Sequence, residues 1–486
     1  MRPKRVLTFG KSSFLALLNK NYPLLFILVG AMLVSASIGP FSNVDTQLEF
    51  DAASGVTKWG MPFILYGHVI NQPPIGFYTE ALFFQIFGLS YDIGVALVTL
   101  IGLGCTILVY LLGKTLYGKP TATLAAALFA LTPWHLALTR SFLIDVQCLF
   151  LSLLTLLVGI YAIRKDSFKL LMISGILFAI ALLTKFFAFF ILIPLTFFYI
   201  YYRKNKLKHM RVVVAYFLPA LLLALLWYQI ITGRGLYSAV GIDDFKNPNP
   251  VETVPSLFFL MNFLSAGMGV LFLISSALSL IISLAYRRIF SKFFPFDLMC
   301  LTTIIIVGCI NTFLGFGLNL SAPYNNPVKY DYQFLPFFSL LAASLVGKFL
   351  LLFNSAKSKK KLNRPLSSIA SIGIILVIAL FIVNMSWVNQ YSTWDHWVFN
   401  VDQNVGYAFL NSNPLGESSS MMGLQYLGFV VVLSGLGWVS RYKIGILISE
   451  LYKRVICKFY KRLRLWIETK NAVSYARKES SCNKPL

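Results

Sequence analysis

Long stretches of this chain carry no charge at all. "YPLLFILVGAMLVSASIGP", residues 22–40, is the first, and runs of about 20 apolar residues recur along the sequence. A helix of that length satisfies its own backbone inside lipid, where a loop or an open strand would leave N–H and C=O groups without partners. The pattern therefore predicts an all-α polytopic membrane protein. Composition agrees: of 486 residues, 57% are hydrophobic and 12% charged, with a mean hydropathy of +0.73. Twelve candidate transmembrane helices are read, roughly at 22–40, 92–113, 121–139, 143–163, 168–184, 186–202, 212–232, 262–286, 297–318, 333–353, 366–387 and 421–440. The basic start "MRPKRVLTFGKSS" is followed by a retained first span rather than a cleaved signal.

Charge then orients the helices. A formal net charge of +24 would suit nucleic acid if it lay on a soluble basic face, but the Lys and Arg residues sit in short clusters between apolar runs. With both termini placed in the cytoplasm, only Lys58, Arg140, Lys185, Arg234, Lys246 and Lys329 of the 42 basic residues fall on the outer side. Thirteen of the 18 acidic residues do the reverse and fall outside. Carboxylate chemistry is thus expected on the outer face. The long outer segment 41–91 contains "FYTEALFFQIFG", read as a helix lying at the interface. Residues 444–466 read as a basic amphipathic helix resting on anionic lipid. The expected organisation is a catalytic membrane region over 1–355, two further spans with an outer loop (388–420) over 356–440, and a basic cytoplasmic tail over 441–486. Cys105, Cys148, Cys300 and Cys309 lie in apolar runs, and no C-x-x-C pair suggests metal or redox work.

Several outer-face residues can carry chemistry. "NVDTQLEFD" puts Asp45 and Glu49 on one helical face, with Asp51 pointing elsewhere. A carboxylate held partly dry against the membrane is a stronger base, and the plainer alternative is a solvated polar face. In "LTRSFLIDVQCLF", Asp145 stands at the end of a span and needs a partner there. Arg140 is the expected one, as a structural ion pair or part of a site. Lys185 in "LTKFFAFFILIPL" is the lone charge between Lys169 and Arg203. It either snorkels to the interface or receives a phosphate. "NQPPIGFY" sets Gln72 and Tyr78 about an extended turn, and "PVKYDYQFLP" gathers Lys329, Tyr330 and Tyr332 at the mouth of a late span. His68, His135 and His396, with the acids, are candidate ligands for a divalent metal ion, although no tight H-E-x-x-H spacing is present.

Taken in order, the early Asp45, the "QPPI" turn, "RSFLID", "LTK" and the aromatic "YDYQFLP" resemble the integral-membrane glycosyltransferases of the GT-C fold, over roughly residues 20–355. The likeness is to the branch of dolichyl-phosphate-mannose protein mannosyltransferases and bacterial aminoarabinose transferases. It implies inverting transfer of a sugar from a polyprenyl-phosphate donor to an acceptor hydroxyl (protein, glycan or lipid) outside the cytoplasm, in a prokaryotic cell membrane. Asp45 matches the first-loop catalytic acid, Asp145 the second acid, and Lys185 the lysine of "LTK". Arg140 and Lys329 would assist at the donor phosphate, with Glu49, Gln72, Tyr78, Tyr330 and Tyr332 lining the substrate. Thr46 stands where many members have a second acid, and Gln72 where aminoarabinose transferases have Lys. These departures leave the sugar and acceptor open. The rival class is a multi-pass transporter, whose layout also has about twelve spans. It is disfavoured because the two halves show no repeat and the acids lie at the outer boundary.

Overall fold

The structure, a computed structural model, describes residues 11–38, 40, 44–64, 69–70, 72–202, 209–233, 270–317, 332–358, 427–434 and 436. The chain divides into two compact units, Met1–Leu433 and Ser434–Leu486, and the helices below belong to the first. They are α1 (Lys11–Ala36), α2 (Val44–Trp59), α3 (Ile75–Phe87), α4 (Tyr91–Leu116), α5 (Lys119–Ala130), α6 (Pro133–Thr139), α7 (Asp145–Lys165), α8 (Phe168–Leu182), a 3-10 turn (Phe186–Ile191), α9 (Leu192–Tyr202), α10 (His209–Gly233), α11 (Val270–Ala285), α12 (Phe294–Gly317) and α13 (Leu335–Ser358). Residues 427–434 are also helical. Among the described residues there is no named strand, only an isolated bridge from Phe63 to Val69.

The helices follow the apolar runs with one correction. The span expected over 121–139 is two short helices, α5 and α6, broken at Leu131 and Thr132. Pro133 explains the break. Its ring disfavours helical backbone in the residue before it and suits the first turn of a new helix. Among the described residues, four helical stretches are long and apolar enough to cross a membrane: Tyr91–Leu116, Asp145–Lys165, His209–Trp227 and Tyr332–Leu351. The other apolar helical segments meeting that description are shorter, Tyr22–Ala36 and Phe294–Cys309 among them, so a count of twelve spans is not established. The interfacial helix expected in "FYTEALFFQIFG" is present as the 13-residue α3. The spans expected at 366–387, the outer loop 388–420 and the basic helix at 444–466 lie outside the described residues.

Packing is tight where small residues allow it. α7 packs against α4 and α8, and α8 against α10. A Cβ at Gly175 would lie 1.7 Å from the Ala215 carbonyl oxygen, so the α8–α10 approach requires glycine. α7 ends on Asp166, at φ 53°, with Arg164 and Lys165 in its last turn facing the negative end of the helix dipole. Ser167 then opens α8, its side chain accepting the Leu170 N–H at 3.4 Å.

One buried polar cluster joins three helices. Lys348 of α13 and Asp297 of α12 pair at 2.6 Å, each with a fully buried side chain. Asp297 also accepts from Tyr117 at 3.0 Å, from Ser344 at 2.8 Å and from Ser283. Lys348 donates to the Ser279 hydroxyl at 2.7 Å and to the Ser279 carbonyl. The sequence reading singled out neither member. Its signal was one charge in each of two apolar runs, "FFPFDLMC" and "SLVGKFLL".

Candidate active site

The acidic stretch that follows the first span forms the start of α2. Asp45 stands in its first turn, where free N–H groups favour an anion, and it is half-buried. One turn later Glu49 is 1% exposed, and its Oε2 accepts the Ile144 N–H at 2.8 Å. The two residues are four apart on one helix and so share a face. Asp51 leaves that face and accepts from Gln47 at 3.0 Å. Glu49, expected along the substrate, is instead built into the frame that holds the start of α7.

α7 opens on Asp145. Lys185, 40 residues on, reaches it at 2.6 Å, with side-chain exposures of 8% and 2%. Residues 183–185 leave the helix after α8, and Lys185 is the cap of the 3-10 turn, which aims its side chain back at α7. α3 locks this corner. The Ile75 N–H bonds the Leu183 carbonyl at 2.9 Å, and a Cβ at Gly76 would strike Ile144 at 2.7 Å.

Arg140 is not the partner of Asp145. Its Nε donates to the Ile38 carbonyl at 2.9 Å and its Nη1 to Thr99 at 3.4 Å. The reason is local: Arg140 caps α6 and Asp145 begins α7, so the five-residue spacing does not lie on one helix. Lys185 does not snorkel to solvent either. It is 6% exposed and its charge meets a carboxylate.

A further acid completes the group. Glu80 on α3 is 0% exposed, and its Oε1 accepts from the Gln147 amide at 2.6 Å. Burial first, then the charge of Glu49, pushes its carboxyl well above the usual range, against a smaller opposing effect of the Gln147 hydrogen bond. The sequence reading counted Glu80 among the outer acids but gave it no role. Its signal was an acid inside an otherwise apolar helix.

The remaining candidates scatter. The Tyr78 hydroxyl donates to the Gly60 carbonyl at 2.9 Å. Gln72 is half-buried at the turn before α3, its Oε1 enclosed with no hydrogen-bond partner among the described residues. Tyr332, expected at the substrate, is 0% exposed; its hydroxyl bonds His135 Nδ1 and its ring stacks at 15° on the imidazole. It is core, not lining, and this engages His135 as well. Lys329, Tyr330, His68 and His396 lie outside the described residues. Among the described residues, no three His, Cys, Asp or Glu side chains are grouped to hold a metal ion.

The family described as dolichyl-phosphate-mannose-protein mannosyltransferase matches residues 71–228, the stretch that holds Glu80, Arg140, Asp145 and Lys185. Two proteins of Bacillus subtilis (strain 168) named as mannosyltransferases are similar. YkcB is 27% identical over 146 residues, which is 30% of this chain and 19% of that protein. YycA is 28% identical over 175 residues, 36% of this chain and 24% of that protein. The matched stretch thus spans a quarter or less of either relative. Among solved structures, ArnT from Cupriavidus metallidurans in the apo state superposes with a TM-score of 0.50 at 15% identity, over 86% of this chain and 77% of that one. The helical architecture, the family match and this neighbour agree: the chain is an integral membrane protein with the GT-C glycosyltransferase fold.

Proposed function

We propose that the chain is an inverting glycosyltransferase that moves a sugar, mannose or a related one, from a polyprenyl-phosphate donor to an acceptor hydroxyl on the outer face of a prokaryotic cell membrane. Both termini are cytoplasmic in this reading, and residues 1–355 carry the reaction. The observation that carries it is the junction of α2, α7 and the corner at 183–185. There Asp45 shares a helix face with Glu49, Glu49 holds the start of α7, and Asp145 meets Lys185 at 2.6 Å. The bias of basic residues between the spans supports the sidedness.

The roles follow from the charges. The donor's prenyl tail stays in lipid, so the anomeric carbon is presented at headgroup level, where α2 begins. The acceptor oxygen attacks that carbon, its proton passes to Asp45, and the bond to the phosphate oxygen breaks with its electron pair leaving on phosphate. That growing charge needs a cation. Lys185 supplies it, with Arg140 and Lys329 as further candidates, and Asp145 holds the ammonium in place before the donor arrives.

The test is transfer from a polyprenyl-phosphate mannose by purified protein carrying single substitutions. Asp45→Asn keeps the shape and removes the proton acceptor, so transfer should fall about 10²-fold or more with folding intact. Glu49→Gln should act through stability as well as turnover, because Glu49 anchors α7. Near-normal transfer by Asp45→Asn would show that another group is the base.

A further inference from the structure

One face of α7 holds Lys185 at both ends. Asp145 meets its ammonium at 2.6 Å. Cys148 stands three residues later on the same helix, and so on the same face one turn away. Its thiol is fully buried and donates to the Lys185 backbone carbonyl at 3.6 Å, a weak bond of the kind sulfur makes. The lysine side chain therefore runs along α7, from Cys148 to Asp145. The Ala188 N–H shares the same carbonyl at 3.1 Å. Cys148 also packs with Ala181 and Ala188, which lie on either side of Lys185, so the thiol fills the inside of that bend.

The thiol is itself aimed from a third element. Gln333 is buried and donates its Nε2–H to Cys148 Sγ at 3.5 Å, across 185 residues of chain. It stands in the short 3-10 turn of residues 332–334 that leads into α13. Both neighbours in that turn are anchored on α6. Tyr332 stacks on His135, and Phe334 meets Trp134 edge to face at 6.1 Å. The backbone that presents Gln333 is thus fixed. A donor already placed at Sγ turns the S–H elsewhere, and the acceptor it meets is the Lys185 carbonyl. The two bonds in line polarise each other.

We infer that Cys148 is a positioning residue for Lys185 and that Gln333 sets it from α13. Asp145 fixes the tip of the lysine but not the bend from which it grows, residues 183–185, which lie outside the helices. Cys148 fixes that bend and Gln333 fixes the thiol, so the entry of α13 and the ammonium keep one register. Neither side chain touches the donor; both act through Lys185. The effect on donor use rests on the role proposed for Lys185, whereas the chain of bonds from Gln333 through Cys148 does not.

Two measurements on the purified full-length protein test this. The first is the infrared S–H stretching band of Cys148, assigned as the band lost in Cys148→Ala. It should move to higher frequency in Gln333→Met, which keeps the length of the side chain and removes its N–H. An unmoved band overturns the inference. The second is affinity for a polyprenyl phosphate that carries no sugar. Cys148→Ala should weaken it by about 2- to 10-fold, the scale of one net hydrogen bond, and Cys148→Ser should restore part of the loss. In a Lys185→Ala background no ammonium is left to place, and Cys148→Ala should then cost less than about twofold. Equal losses in both backgrounds overturn the positioning role, because a thiol that only packs the core acts alike in each. Should Lys185→Ala fail to fold, the infrared band decides alone. A wild-type chain that binds no polyprenyl phosphate refutes the proposed function and the positioning role with it, and is told apart by an affinity absent before any substitution.

Discussion

Among the described residues, two lysine–aspartate pairs are buried at the same separation, 2.6 Å, and their surroundings differ. Asp297 receives four hydrogen bonds, from Tyr117, Ser283, Ser344 and Lys348. Among the described residues Asp145 receives one, from Lys185. The first pair is sealed, with every oxygen of its carboxylate engaged and helices α11, α12 and α13 tied together through it. The second sits beside Glu49 and Glu80, and among the described residues it is Asp145 that meets Lys185 there. A saturated ion pair has no capacity left for a ligand and reads as architecture. A carboxylate with fewer bonds, at the meeting point of three elements, is freer to exchange partners, as the proposed role at a donor phosphate would require.

The strongest way to break that contrast is to cut the saturated pair. Asp297→Asn or Lys348→Met alone leaves a buried charge, and should cost about 3–5 kcal/mol of stability, seen as a lower unfolding temperature in detergent. Replacing both together, with Asp297→Leu beside Lys348→Met, should recover much of the loss. A single variant as stable as wild type would remove the distinction drawn here. At the other pair the loss should be in turnover. Lys185→Ala should weaken donor use by about 2–5 kcal/mol, with Lys185→Arg restoring part of it. Wild-type turnover by Lys185→Ala would make this pair structural too.

A smaller effect sharpens the comparison through pH. Glu80 is held above its ordinary range, so the folded chain keeps a proton that the unfolded chain releases above about pH 4.3. Its contribution is fully present below that value and is lost as pH rises toward the folded value, so stability should decline across that window. Glu80→Gln should flatten the decline, measured as unfolding temperature against pH; an identical slope would count against a protonated Glu80. The least effect is expected at Asp51, which bonds its own helical neighbour Gln47: Asp51→Asn should stay within about 0.5 kcal/mol in stability and leave transfer unaltered.

The individual acids and lysines were easier to read than their partners. Asp145 and Lys185 stood out because a charge in an apolar run is costly and needs a reason. Their pairing was not visible, since 40 residues separate them and the nearer Arg140 was the natural expectation. The turn between α6 and α7 redirects Arg140 to Ile38 and Thr99, and no local pattern announces that. Tyr332 misled for the opposite reason. An aromatic hydroxyl in a polar cluster looks like a lining group, yet its ring is packed on His135.

By itself the sequence determined that the chain is helical and membrane-embedded, because lipid offers the backbone no partner and long apolar runs must satisfy their hydrogen bonds internally, whatever their neighbours. It also determined where acids and bases were concentrated, and through its ordered motifs it pointed to the GT-C fold. Which charges neutralise each other was decided by tertiary structure alone. Partnership at about 3 Å depends on which helix faces meet. Those contacts are set by close approaches such as Gly175 on Ala215 and Gly76 on Ile144, between residues that are distant or unremarkable in the chain.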